Sequence, residues 1–106
     1  MNSSFENLEV WKIGCRLSVA VLKIMSNCSI YGLRDQMIKS ALSIPSNIAE
    51  GSERRTQKDF RHFLHIALGS AAELRTQTYI ASEACIIDKE PSKTWVTELQ
   101  TISRML

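Results

Sequence analysis

Very little in this sequence interrupts a helix. Only four glycines and two prolines are spread over 106 residues, and no stretch alternates apolar with polar residues in the two-residue rhythm of a strand. Strand-rich classes are excluded, and long helices are allowed. Cysteine is scarce as well: Cys15, Cys28 and Cys85 are odd in number, widely spaced and free of any C-x-x-C pair. That argues against a disulfide framework. With no secretory leader pattern ahead of them, the thiols read as small apolar residues of a reduced, cytoplasmic protein. No apolar run approaches the roughly 20 residues that span a bilayer, so no membrane partner is expected. The Met-Asn-Ser-Ser opening reads as a frayed end.

Catalytic motifs are missing too. There is no G-x-x-x-x-G-K-S/T phosphate loop, no G-x-G-x-x-G turn and no G-x-S-x-G elbow, and no motif pairs a cysteine with a histidine. Asp59-x-x-His62, with His65 a turn further on, has the carboxylate-x-x-His spacing of a di-metal bundle. Such a site needs a second copy of the motif and a carboxylate from each remaining helix, whereas the chain has two histidines in all. The pair reads as polar residues on an exposed face. The expectation is a non-enzymatic protein with no metal and no cofactor.

What the sequence does have is apolar periodicity. The composition, 44% hydrophobic and 23% charged, is that of a globular chain, and the length allows one domain, 1–106. A chain of this size buries about two-thirds of its unfolded surface, so a partner subunit would add stability. Leu8, Trp11, Cys15, Val19 and Leu22 recur at helical spacing beside a second stripe of Val10, Ile13, Leu17, Val21 and Ile24. This predicts a first helix over Phe5–Ser26 with a wide buried side. Leu33, Met37, Ala41, Ile44 and Ile48 mark a second helix, with Lys39, Ser43 and Glu50 on its far side and Gly51 placed as a left-handed cap.

Thr56 with Asp59 resembles a capping box opening a third helix, whose stripe is Phe60, Phe63, Ala67, Ala71, Leu74, Thr78, Ala81 and Cys85. Gly69, Ser70, Ala71 and Ala72 in its middle read as close packing within the subunit. Pro91 fits the first turn of a last helix, with Trp95, Leu99, Ile102 and Leu106 as its buried edge. Four amphipathic helices with short connections predict an all-α, antiparallel up-and-down four-helix bundle.

One stretch resists this simple pattern. In Ser43-Ile44-Pro45-Ser46-Asn47-Ile48-Ala49-Glu50-Gly51 a proline interrupts a helical period. Proline cannot donate to the carbonyl four residues back, here Ala41, and its ring crowds that turn. Residues 45 to 50 are too few to stand alone, so a kinked but continuous helix two is expected. Asn47 and Glu50 are the candidates to bond freed polar groups, near Ser70 and Glu73.

Charge is mild, +2 overall, but uneven. Through Arg61 nine bases face six acids, +3, and the remainder nets −1. Arg54, Arg55, Lys58 and Arg61 cluster at the junction of helices two and three, near the positive end of helix three, where phosphate could bind. Glu50, Glu53 and Asp59 are interleaved, so the segment 50–61 carries four bases and three acids and nets +1. No aromatic platform for stacking on bases accompanies the cluster in sequence.

Residues 31–74, from Tyr31-Gly32-Leu33 to Ala72-Glu73-Leu74, closely resemble the four-helix bundle proteins encoded in intervening sequences of bacterial 23S ribosomal RNA genes, the S23 ribosomal protein family. The opening from Phe5 through Leu8-Glu9-Val10-Trp11 resembles the start of that family. The matching signature positions are Ser43, Ile44, Pro45, Asn47, Ile48, Ala49, Glu50 and Gly51, then Phe60, Ile66, Ala67, Gly69, Ser70, Glu73 and Leu74. The resemblance implies an up-and-down bundle assembled as a homopentamer around a central channel. It also implies kinship with the accessory variability determinant of diversity-generating retroelements, a bundle that binds reverse transcriptase and nucleic acid. Partners are then expected to be other copies of the chain, RNA or DNA, or a reverse transcriptase-like protein. The family pattern has a basic pair where this chain has Ile38-Lys39, which removes one charge from any nucleic-acid surface.

Overall fold

The structure is a computed structural model that describes residues 4–106; the fraying expected of Met1, Asn2 and Ser3 lies outside the described residues. Ser4 is ordered into a cap, its hydroxyl accepting the Glu6 N–H at 3.2 Å. It opens a short 3₁₀ turn, Phe5–Asn7. Four helices follow: α1, Glu9–Met25; α2, Tyr31–Ser52; α3, Gln57–Glu83; and α4, Lys89–Met105. They form the antiparallel up-and-down bundle expected, 46 × 22 × 20 Å, with α1–α2, α2–α3 and α3–α4 packed in sequence and α1 meeting α4 to close the ring. Helix α1 begins at Glu9 rather than Phe5, because Leu8 is extended at φ −77 and ψ 125 and separates it from the 3₁₀ turn.

Leu17, Val21 and Met25 of α1, Met37, Ile44 and Ile48 of α2, Leu74 of α3 and Trp95, Leu99 and Ile102 of α4 meet in the core, none more than 2% exposed. Each such side chain contributes about 1.5–3 kcal/mol on burial. The wide buried side expected of α1 is only half realised. Val10, Ile13, Leu17 and Val21 face inward, whereas Ile24 is 38% exposed. In the other stripe Leu8, Trp11 and Cys15 are half-buried, and Val19 and Leu22 face solvent at 51% and 38% exposure. A helix in a bundle of this size meets two neighbours, which is room for one stripe and the edge of a second.

Helix α2 runs unbroken through Pro45. The carbonyl that Pro45 cannot serve is rescued from another helix: Ser18 of α1, itself buried, donates its hydroxyl to Ala41 O at 3.0 Å. A carbon at Gly14, one turn earlier on α1, would stand 3.4 Å from the Pro45 Cβ and Cδ. Two small residues one turn apart on α1 thus accommodate the proline: Gly14 makes room for its ring and Ser18 supplies the missing donor. Asn47, expected to reach toward Ser70, turns back within α2 and donates to Ser43 O at 2.8 Å and Ser43 Oγ at 2.9 Å, while Ser70 Oγ donates to Ser43 Oγ at 2.8 Å. Ser43 thus lies against α3 and not on the far side of α2.

Gly51 is not a left-handed cap. It lies inside α2, no glycine has positive φ among the described residues, and Glu53 ends the helix. Its missing side chain serves packing instead: a Cβ there would stand 3.0 Å from Phe63 Cβ and 3.2 Å from Phe60 O. The left-handed residue is Cys85, at φ 60 just past the end of α3 and exposed, so it does not extend the buried stripe. Thr56 caps α3 as expected, accepting the Asp59 N–H at 3.1 Å, and Pro91 sits in the first turn of α4.

The small residues of α3 divide. Ala67, Ser70 and Ala71 are buried, but Ala72 is exposed and nothing lies within 4 Å of where a Cβ at Gly69 would be. Close packing within the subunit accounts for the first group only. An open glycine in mid-helix costs about 1 kcal/mol relative to alanine. Gly69→Ala is accordingly expected to raise the unfolding free energy by roughly 0.5–1 kcal/mol, read as a higher urea midpoint with an unchanged slope.

Candidate nucleic-acid interface

The junction between α2 and α3 is short because Gly51 lets Phe60 and Phe63 close onto the end of α2. The last turn tightens, with Glu53 N bonding Glu50 O at 3.3 Å and Arg54 N bonding Gly51 O at 3.1 Å. The chain then turns at Arg54 and Arg55 before Thr56 caps α3. The basic side chains are thereby released at one end of the bundle. In the first turn of α3 the Asp59 N–H is taken by Thr56 Oγ1 and the Phe60 N–H by Thr56 O. The Gln57 and Lys58 N–H groups precede any carbonyl of their own helix and direct the positive end of its dipole outward.

Arg54 has two local partners. It pairs with Glu50 one turn back, and its guanidinium lies 4.7 Å from the Phe63 ring centroid. At the surface the ion pair is worth about 0–1 kcal/mol; its main effect is to aim the guanidinium. Arg55 is exposed and forms no ion pair among the described residues. Both arginines line a cleft of about 280 Å³ with Gln57 and Phe60 of α3 and Phe5 of the 3₁₀ turn. Phe5 is held there edge-on to Trp11, ring centroids 5.3 Å apart.

The structure divides the four-residue cluster. Lys58 and Arg61 do not line the cleft; both are exposed, with His65 at the next turn of the same helical face, opposite the buried positions Ala67, Ala71 and Leu74. Conversely, an aromatic surface beside the arginines is formed by Phe60, which lies within the cluster, together with Phe5, which is remote in sequence. Phe60 was visible as a core-stripe residue, but Phe5 reaches the cleft only because α1 packs along α2. Of the signature residues, Pro45 and Gly51 set helix approach, Ser43, Asn47 and Ser70 form one hydrogen-bonded group, Glu50 orients Arg54, and Gly69 and Glu73 are exposed.

Among the described residues no group of three or more His, Cys, Asp or Glu side chains is placed to hold a metal ion, and no helix is long and apolar enough to cross a membrane. Burial raises the Cys15 thiol above its ordinary value, which makes it a slow nucleophile.

A family model described as 23S rRNA-intervening sequence protein matches residues 6–106. The fold is shared with the crystal structure of a protein of unknown function from the S23 ribosomal protein family of Bacteroides thetaiotaomicron, at TM-score 0.85 and 20% identity, over 91% of this chain and 93% of that one. No curated protein matches the chain in sequence.

Proposed function

The chain belongs to the 23S rRNA-intervening sequence protein family, and on that premise we propose that it is a non-enzymatic oligomeric scaffold that binds RNA or DNA, or an enzyme acting on them, through the basic end of its bundle. The carrying observation is the cleft in which Arg54 and Arg55 meet the first turn of α3 and the rings of Phe5 and Phe60. Guanidinium groups and helix N–H groups neutralise phosphate, and rings accept stacked bases. Lys58 and Arg61 extend the basic surface along α3.

Self-association is the second part of the proposal, with a homopentamer as the expected form. The stripe of Leu8, Trp11, Cys15, Val19 and Leu22 supports it, since two of these apolar side chains face solvent in the single chain. Five copies at +2 carry about +10, and arrayed clefts gain avidity without new contacts. Localisation in the cytoplasm, where nucleic acid and reduced thiols coexist, fits the same picture.

Two measurements test it. The logarithm of the affinity for structured RNA is expected to fall linearly with the logarithm of salt concentration, and Arg55→Ala to reduce that slope by about 1 while weakening all sequences alike. Absence of binding at low salt would overturn the nucleic-acid reading and leave a protein-interaction module, the alternative that the apolar stripe also supports. Val19→Asp with Leu22→Asp is expected to convert the oligomer to a folded monomer in sedimentation, with Cys15 alkylated faster as the stripe is uncovered. A monomeric mass for the unaltered chain at micromolar concentration would remove the avidity argument.

A further inference from the structure

Helix α3 is the longest element, and its outer face is uncovered. Helices α2 and α4 flank it, while α1 stands diagonally across the bundle. The residues that point away from the core are exposed, and they change in kind along the helix. The first turns carry Lys58, Arg61, His62 and His65, the middle carries Gly69 and Ala72, and the last turns carry Tyr79, Ile80 and Glu83. Steps of three and four keep them within an arc of about 100°.

Three features of this face have no explanation inside the subunit. Nothing lies within 4 Å of where a Cβ at Gly69 would be, although an open glycine weakens a helix. Tyr79 and Ile80 are 51% and 59% exposed. Lys58, Arg61 and Glu83 form no ion pair among the described residues, the pairs there being Arg34–Asp35 and Arg54–Glu50.

We propose that two copies of the chain pair antiparallel along this face, on a two-fold axis between Gly69 and Ala72. That placement sets Lys58 opposite Glu83 of the second copy, His62 opposite Tyr79 and His65 opposite Thr76. Arg61 falls beside Ile80 and within a turn of the same Glu83. The small residues meet at the centre, where the missing side chain lets the helix axes approach to the near end of the usual range of about 8–10 Å. Because the axis is two-fold, each contact is made twice. A parallel pairing in the same register would set Lys58 against Lys58 and Glu83 against Glu83. The charge pattern also favours a second copy over nucleic acid on this face, since phosphate would suit one end and meet Glu83 and two apolar side chains at the other.

The pairing depends neither on the ring nor on nucleic-acid binding. The apolar stripe proposed for the ring is on α1, across the bundle, and Arg54 and Arg55 precede the paired stretch; Lys58 and Arg61 are shared with the basic surface. One helix face offers less than the roughly 800 Å² per partner of a standard interface, which places pairing at about 10–500 µM, above the micromolar range in which the ring is tested.

The test is sedimentation equilibrium of the full chain carrying Val19→Asp and Leu22→Asp, up to about 500 µM, so that the outcome does not hang on the ring. This chain is expected to pass from one copy to two as concentration rises. A further Lys58→Glu or Glu83→Lys is each expected to weaken pairing about tenfold or more, since each sets two like-charge pairs in contact. An equimolar mixture of those two chains should recover the parent affinity, because every 58–83 contact in the mixed pair is again between opposite charges. Gly69→Gln is expected to weaken pairing at least about tenfold by overpacking the crossing, while its urea midpoint at micromolar concentration rises with helix propensity, which separates lost pairing from lost folding. If the α1 substitutions prevent folding, the same series on the unaltered α1 is read as doubling of whatever mass the chain has. The proposal is overturned if the chain shows no pairing at about 500 µM, which would leave the face to a different protein, if either charge variant pairs as well as the parent, or if their mixture stays unpaired.

Discussion

Gly51→Val is expected to lower the unfolding free energy by roughly 2–3 kcal/mol, the upper part of the range for overpacking a tight contact. A β-carbon at this position would stand 3.0 Å from Phe63 Cβ and 3.2 Å from Phe60 O. Neither atom is the free end of a flexible side chain; one is a backbone oxygen and the other is fixed to the backbone of α3. The first turns of α3 must then move away from α2. In a domain of this size the loss corresponds to a fall in melting temperature of roughly 10 °C or more. Gly51→Ala should cost less, because alanine regains about 1 kcal/mol of helix propensity. Since the displaced turns also position Arg54, Arg55 and Phe60, nucleic-acid affinity should fall with stability in the valine variant. An unchanged urea midpoint would mean that the helices do not approach each other as closely as described.

Ser18→Ala should destabilise by about 1–3 kcal/mol, the cost of leaving a buried carbonyl without a donor. Ser18 has one hydroxyl proton and two acceptors in range, Gly14 O at 2.9 Å and Ala41 O at 3.0 Å. Gly14 O already receives the helical N–H of Ser18, whereas Ala41 is denied its helical donor by Pro45. A double-mutant cycle isolates this relation. In a Pro45→Ala background the new N–H serves the Ala41 carbonyl, so Ser18→Ala should cost at least about 1 kcal/mol less than it does beside proline. Equal costs in the two backgrounds would show that the hydroxyl is not there for the proline. A crystal structure of Pro45→Ala with a straighter α2 would in addition verify the expected kink.

The helices themselves were legible in the sequence because their cause is local. The spacing of Met37, Ala41, Ile44 and Ile48 places them on one face whatever lies opposite, and Thr56 caps α3 using only its neighbours. Glycine is ambiguous for the same reason. Gly51 at a helix end has the local appearance of a left-handed cap, but what requires glycine there is the approach of Phe60 and Phe63, which no nearby residue announces. Periodicity alone sends the second apolar stripe of α1 to the interior, although a periodic pattern carries no information about how many neighbours are present to cover it.

The candidate interface was half visible. Arg54, Arg55, Lys58 and Arg61 are adjacent in sequence and stand out as charge, yet only the turn geometry sends the first two into a cleft and the last two onto the outer face of α3. Phe5, some fifty positions away, could not be associated with them before α1 was docked.

By itself, then, the sequence determined four amphipathic helices, their order and antiparallel course, and the family, since these follow from short-range periodicity and from motifs read in line. The tertiary structure alone decided that Ser18 supplies a donor to the Ala41 carbonyl that Pro45 leaves free on another helix, and that Gly51 is a place of contact. Each of those facts is a distance between atoms on different helices, and such distances are fixed by docking, which depends on all four helices at once.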